Sequence, residues 1–182
     1  MRKLSCSPKA EVMGMLLHSF TDNIQGAETR PIMEAHGLTD LDAMSWYPLS
    51  DFLNALNDLA ANPNVAFNMV AIGMKIGQDV PLPPNMPDPT LPDVLAIWDE
   101  LYQMLHRSAD VGRIIVEKVT DTHYTTAHSV PYPDDMSYGI LHAYGKRFLP
   151  AGTNFTVFYD EDAPARDYGG TGESTLIHIE WE

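Results

Sequence analysis

Seven histidines are the first residues of this chain that could do chemistry, because imidazole binds metals and moves protons near neutral pH. A metal site on a helix commonly places two histidines four residues apart, and a strand places them two apart. Neither spacing occurs in this sequence. His123 and His128 are five apart in one predicted strand and therefore face opposite sides. The pattern predicts that each histidine is either hydrogen-bonded within the protein or exposed at its surface, and that none belongs to a metal centre.

His106 is the one histidine whose position is compatible with binding a cofactor. It lies at the border of an apolar helical arc, one turn after Tyr102, where an axial ligand of haem could stand. The alternative is a cationic side chain near the C-terminal end of its helix. No CxxCH motif for covalent haem attachment is present. Haem or another tetrapyrrole stays open as a cofactor, and the sequence identifies none.

Covalent catalysis finds little support among the other polar residues. There is no G-x-S-x-G motif, and the glycine run 169–172 lacks the lysine and the following helix of a phosphate-binding loop. The acidic run Asp160–Asp162 lacks the glycine and the closing glutamate of a calcium loop. We therefore expect no catalytic residues and no metal ligands, and an enzyme is the less favoured interpretation.

The net charge of the chain limits the classes of partner that it can bind. The 182 residues carry 25 acidic and 11 basic side chains, for a net charge of −14 and a pI near 4.6. Such a surface repels phosphate backbones and anionic lipid, which argues against nucleic-acid and membrane binding. One cysteine allows no intrachain disulfide, and no signal peptide or membrane-spanning run is visible. We expect a cytoplasmic protein.

The elements that must position these residues divide the chain into two halves of one domain, residues 1–182. Asp134 is predicted to cap a helix whose first turn gains negative charge from Asp135 and which stops at Pro150. Alternating β-like runs precede and follow this helix, at Arg113–Thr120, His123–Val130, Thr153–Asp160 and Ser174–Glu182. Residues 111–182 therefore predict β-β-α-β-β, a four-stranded antiparallel sheet with one crossover helix.

Residues 1–110 predict a helical half, so the fold class is α+β. Apolar residues recur at helical spacing in each segment, and proline or glycine separates the segments. The predicted helices are a first one from Pro8 to Gly26 that includes Val12 and Met13, then Pro31–His36, Leu49–Asn62, Val65–Gln78 and Thr90–Ser108.

The helices at 65–78 and 90–108 carry more methionine, aromatic and glycine surface than two packed helices require. We predict that this surface lines an apolar pocket between these helices and the sheet. The proposed ligand contacts are Met69, Gly73, Trp98, Tyr102 and His106. The alternative is that the same surface is core or a dimer interface.

A resemblance rests on residues in and after the crossover helix. These are Tyr132-Pro133, Asp135, Gly139-Ile140-Leu141, Lys146-Arg147-Phe148, Pro150 and Leu176–Trp181. They resemble the C-terminal β-β-α-β-β of a bacterial sensor family. Its superfamily joins haem-nitric-oxide/oxygen-binding domains, 4-vinyl-reductase-like domains and Golgi transport-particle subunits. The resemblance implies a helical half packed on the sheet, and a small-molecule-binding or sensing module that is often dimeric and usually not catalytic.

The chain departs from that family at several positions. The family carries cysteines near the start of the crossover helix and near the closing hairpin, and here those neighbourhoods hold Asp134, Asp167 and Ser174. The tyrosine-serine-arginine motif of the haem-binding branch is absent. Our prediction is therefore a sensory domain that binds an apolar small molecule, forms a homodimer and signals through an interface. The alternatives are a non-catalytic protein-interaction scaffold and a cofactor-dependent, tetrapyrrole-related enzyme.

Overall fold

The computed structural model describes residues 2–22, 29–62 and 68–182. The helices are α1 (Gly14–Thr21), α2 (Arg30–Ala35), α3 (Leu49–Ala61), α4 (Met69–Asp79), α5 (Leu91–Ala96), α6 (Trp98–Met104) and α7 (Asp134–Phe148). The strands are β1 (Glu11–Met13), β2 (Trp46–Pro48), β3 (His106–Arg107), β4 (Ile114–Thr120), β5 (His123–His128), β6 (Phe155–Tyr159) and β7 (Thr175–Trp181). No helix within these ranges is long and apolar enough to cross a membrane.

The second half confirms the predicted β-β-α-β-β arrangement. Strands β4, β5, β7 and β6 lie in that order in an antiparallel sheet, and α7 connects β5 to β6. Ile177 and Ile179 are fully buried on the inner face of β7, whereas Leu176 and His178 alternate onto the outer face. The α+β class is confirmed, and α7 covers the inner face of the sheet.

The first predicted helix is wrong at its start. Val12 and Met13 belong to β1, which pairs with β2 and β3 in a second, three-stranded sheet. The helix begins only at Gly14, where a Cβ atom would lie 2.0 Å from the carbonyl oxygen of Asp42. The β-branched Val12 is completely buried between its two partner strands, so tertiary pairing overrides the helical spacing. The predicted end at Gly26 lies outside the described residues.

The predicted helix from Thr90 to Ser108 is also wrong in its second half. A capping box between Thr90 and Asp93 precedes α5 at Leu91, but the helix breaks at Ile97 into α5 and α6. After Met104 the chain becomes β3, in which His106 pairs with Val12 of β1. His106 therefore follows a helix and stands on a short strand.

Helices α4 and α7 pack closely against each other through glycines. A Cβ atom on Gly73 would lie 2.1 Å from the carbonyl oxygen of Met136, and one on Gly139 would lie 2.1 Å from that of Val70. Only glycine tolerates this separation, since any side chain would push the two backbones apart. The contact joins the helical half to the crossover helix. Residues 65–67 of the predicted helix lie outside the described residues.

Candidate functional site

A cavity of about 60 Å³ lies where the two halves of the domain meet. Side chains of α6 and the segment after it line the cavity together with side chains of α7. The lining residues are Leu16, Ile76, Val80, Trp98, Leu101, Tyr102, Leu105, His106, Ile114, Val130, Tyr132, Met136, Ser137, Ile140 and Tyr144.

The α7 wall follows from helical spacing. Met136, Ile140 and Tyr144 recur every four residues, and Ser137 lies beside them on the same face. Such an arc is expected to be buried, and Met136 and Tyr144 are indeed buried. Ser137, a small polar residue beside this apolar arc, is the sequence signal that could have placed α7 in the candidate site.

His106 is held in one tautomer by its two hydrogen bonds. Its Nδ1 lies 2.7 Å from the carbonyl oxygen of Tyr102, and because a carbonyl only accepts, Nδ1 carries the ring proton. Its Nε2 lies 2.6 Å from the hydroxyl oxygen of Tyr132 and accepts the hydroxyl proton. Burial lowers the pKa of His106 to about 4, so the imidazole is neutral near physiological pH.

Tyr132 is the partner that the sequence analysis missed. It is only 2% exposed, and burial raises the pKa of its hydroxyl well above the ordinary value. Its hydroxyl therefore remains a donor to His106. No motif around Tyr132 announces this pairing, because the two residues are 26 positions apart and meet only in the folded chain.

The backbone carbonyl of Tyr132 belongs to a partly buried ionic cluster. Arg2 donates to the Tyr132 carbonyl oxygen at 2.7 Å and to an Asp167 carboxylate oxygen at 2.8 Å. Arg166 donates to Asp134 at 2.8 Å, and the Asp134 side chain is completely buried. The prediction that Asp134 caps α7 is wrong, since its carboxylate pairs with both arginines instead.

The charge state of Asp134 follows from these partners. Burial would raise its pKa, but the Asp167 N–H, the Thr175 hydroxyl and Arg166 together hold the pKa below its usual value. Asp134 and Asp167 also accept each other's backbone N–H, at 2.9 and 2.8 Å. The start of α7 is therefore fixed to the turn at residues 166–168.

Three of the five predicted ligand contacts line the cavity. They are Trp98, Tyr102 and His106. The Tyr102 hydroxyl donates to the Val111 carbonyl oxygen at 2.7 Å and is thereby occupied. Met69 is buried in the first turn of α4 and Gly73 lies at the contact with α7, so neither is among the lining residues.

His128 departs from the prediction that each histidine is satisfied or at the surface. It is completely buried, with its ring 5.0 Å from that of Trp98. The Thr126 hydroxyl donates to the Ile177 carbonyl, so it accepts from His128 Nε2 at 3.0 Å, and Nδ1 has no partner among the described residues. Burial lowers the pKa of His128 to about 3. In the part of the chain that the structure describes, no group of three or more potential ligands could hold a metal.

Comparison with known proteins finds a match at the level of structure. No protein-family model matches the chain, and no curated protein sequence matches it significantly. An H-NOX protein from S. oneidensis in the Fe(II)NO ligation state superposes with a TM-score of 0.67 at 14% identity, over 93% of this chain and 99% of that chain. A mutant of T. tengcongensis H-NOX superposes with a TM-score of 0.61 at 13% identity, over 93% of each chain.

Haem, whose distortion was probed in a solved structure of the H-NOX family, does not fit the residues present here. The cavity volume of about 60 Å³ is far below the roughly 300–1,000 Å³ of pockets that hold larger ligands. The Nε2 lone pair of His106 is taken by Tyr132, and none of the described lining residues is a lysine or arginine that could pair with propionates. The chain thus has the H-NOX fold around a cavity that does not accommodate haem.

Proposed function

We propose that this chain is a sensory domain that binds a small, largely apolar molecule in the cavity between α6, α7 and the sheet. One observation supports this proposal above all: the cavity lies at the junction of the two halves and is lined by apolar side chains from both. An occupant there contacts both halves at once, so its binding can change how they pack.

The size of the cavity limits the ligand. One water-sized group needs about 10–15 Å³, so about 60 Å³ accommodates roughly four to six such groups. Xenon and small organic molecules bind apolar cavities of this general kind. The expected ligand is accordingly a gas or a small organic molecule.

The signal is proposed to leave through Tyr132. Its hydroxyl lies in the cavity wall on His106, while its carbonyl oxygen accepts from Arg2. An occupant that displaces the Tyr132 ring moves the carbonyl oxygen and weakens the hold on Arg2. We expect amide hydrogen exchange at residues 3–10 to accelerate when the cavity is filled.

The test uses isoleucine methyl groups as reporters and xenon as the probe. Ile76, Ile114 and Ile140 line the cavity, whereas Ile115 is 58% exposed on the outer face of the sheet. Pressurising a ¹³C-methyl-isoleucine sample with xenon should shift the three lining methyl signals and leave Ile115 in place.

Two matched variants make this test specific. Ile140→Phe fills the cavity from α7 and should abolish the xenon shifts, whereas Ile115→Phe on the outer face should preserve them. Shifts that are absent from the wild type, or that survive in Ile140→Phe, would rule out the cavity as the binding site.

We also propose that the domain works as a homodimer through the exposed apolar side chains of the edge strand β4. Ile115 and Val119 are 58% and 55% exposed on the edge strand β4, and large apolar side chains at an unpaired edge favour association. Sedimentation velocity should find a dimer that Ile115→Lys with Val119→Lys converts to a monomer. A wild-type protein that is monomeric at all concentrations would contradict this interface.

A further inference from the structure

We infer that the ligand of this cavity carries a neutral oxygen, as in a small ketone or alcohol, which hydrogen-bonds to the hydroxyl groups of Ser137 and Tyr144. The inference rests on the proposed function and specifies the chemical class of its ligand. It starts from the hydroxyl groups of two buried residues of α7 that line the cavity, for which the described part of the chain supplies no hydrogen-bond partner.

Ser137 is 4% exposed and lines the cavity. Its hydroxyl makes no hydrogen bond to any other part of the chain that the structure describes. Most buried hydroxyl groups in proteins are hydrogen-bonded, because an unpaired one has lost its contacts with water. A lining hydroxyl without a partner therefore indicates a group that an occupant supplies.

Tyr144 repeats this observation two turns further along α7. It is 2% exposed, lines the cavity, and packs its ring against Trp98 at 5.2 Å. Its hydroxyl likewise has no partner among the described residues. Ser137 and Tyr144 are seven residues apart on α7, which places both on the helix face that lines the cavity.

The neighbouring tyrosine hydroxyl groups all have hydrogen-bond partners, so the lack of a partner is not general to the site. Tyr102 donates to the Val111 carbonyl oxygen, Tyr132 donates to His106, and Tyr138 on the same helix donates to the Val157 carbonyl oxygen at 2.7 Å. The fold thus satisfies the hydroxyl groups around Ser137 and Tyr144 and leaves these two to the cavity.

The charge of the surroundings sets the class of the polar group. None of the described lining residues is acidic or basic apart from His106, and His106 is neutral with both ring nitrogens engaged. A carboxylate or an ammonium group would lie there without a counter-charge, which burial strongly disfavours. A carbonyl or hydroxyl oxygen on an apolar molecule can hydrogen-bond to the two hydroxyl groups and needs no counter-charge.

The experiment compares two probes of the same shape, cyclopentanone and methylenecyclopentane, by ¹³C-methyl-isoleucine titration. In Ser137→Ala and in Tyr144→Phe, the affinity for the ketone should fall by about threefold to tenfold, as expected for one lost hydrogen bond. The affinity for the alkene should stay unchanged or rise. Tyr138→Phe, whose hydroxyl is bonded away from the cavity, is the matched control and should leave both affinities unaltered.

The outcomes separate the two proposals. If neither probe shifts the lining methyl signals, the proposed function fails. If both probes bind but the affinity for the ketone does not change in Ser137→Ala or Tyr144→Phe, the cavity is a binding site and the inferred ligand class is wrong. A melting temperature that falls in Ser137→Ala and Tyr144→Phe as much as in Tyr138→Phe would show that the two hydroxyl groups already have partners, and would also overturn the inference.

Discussion

Two histidine sites in this molecule show how surroundings decide what the same side chain does. Inside, His106 bonds to a backbone carbonyl and to the Tyr132 hydroxyl, both of them neutral. Outside, on the exposed face of the sheet, His123 Nε2 lies 2.9 Å from His178 Nδ1. His178 Nε2 lies 3.0 Å from Asp160, and His123 Nδ1 lies 3.1 Å from Glu180.

The difference between the sites is the presence of counter-charge. Each outer histidine lies beside a carboxylate, Glu180 for His123 and Asp160 for His178. The inner histidine faces groups that carry no charge, and burial expels its second proton. The inner site is therefore suited to neutral ligands, whereas the outer site belongs to a solvated, charged surface.

The largest expected effect on the free energy of unfolding comes from removing the whole Tyr132 side chain, the partner of His106. Tyr132→Ala should lower the free energy of unfolding by about 3–5 kcal/mol, because a fully buried aromatic ring is lost and a cavity remains. Phe158→Ala is the outer counterpart, since its ring stacks on His178 at 4.9 Å but is only partly buried. Urea denaturation should show a much smaller loss for it, and equal losses would remove the distinction between the two sites.

Removing only the Tyr132 hydroxyl tests the effect of a single hydrogen bond at the inner histidine site against one at the outer site. Tyr132→Phe keeps the ring but leaves the Nε2 atom of His106 buried without a donor, which should cost about 1–3 kcal/mol of the free energy of unfolding. Thr125→Val removes a hydroxyl 3.2 Å from His178 on the outer face, where water can replace it, and should cost less. A loss for Thr125→Val as large as that for Tyr132→Phe would contradict the role of burial.

Part of the pH dependence of stability should come from the inner histidine, His106. The unfolded chain protonates His106 below about pH 6.5, whereas the folded chain does so only near its lowered pKa of about 4. Within this window the unfolded state binds more protons, so stability falls as the pH falls, by up to about 1.4 kcal/mol per pH unit for this residue.

His106→Gln tests this assignment because it removes the titrating group. Denaturation curves between about pH 6.5 and about pH 4 should give a shallower loss of stability for the variant than for the wild type. His128, with its pKa lowered to about 3, should account for part of the loss that remains. An unchanged slope in His106→Gln would show that His106 does not stay neutral in the folded state.

The contrast between the sites also explains which features could be predicted from the sequence. Alternation in β7 placed Ile177 and Ile179 inside and His178 outside, because a strand's faces depend only on its own residues. The strand β1 and the break after Met104 were missed, because both depend on pairing between Val12 and His106, which are far apart in the chain. Three cavity residues came from a local apolar arc, whereas Tyr132 required the tertiary structure.

The smallest expected effect lies in the outer ion pairs. Glu180 is 51% exposed in its side chain, so Glu180→Gln, which removes its charge opposite His123, should change the free energy of unfolding by no more than about 1 kcal/mol. Salt should shrink even this difference, because screening acts on solvent-exposed charges, whereas the cost of Tyr132→Phe should not respond to salt. Urea denaturation at low and high salt measures both. A loss in Glu180→Gln that does not respond to salt would contradict the assignment of the His123–Glu180 pair to the solvent-exposed surface.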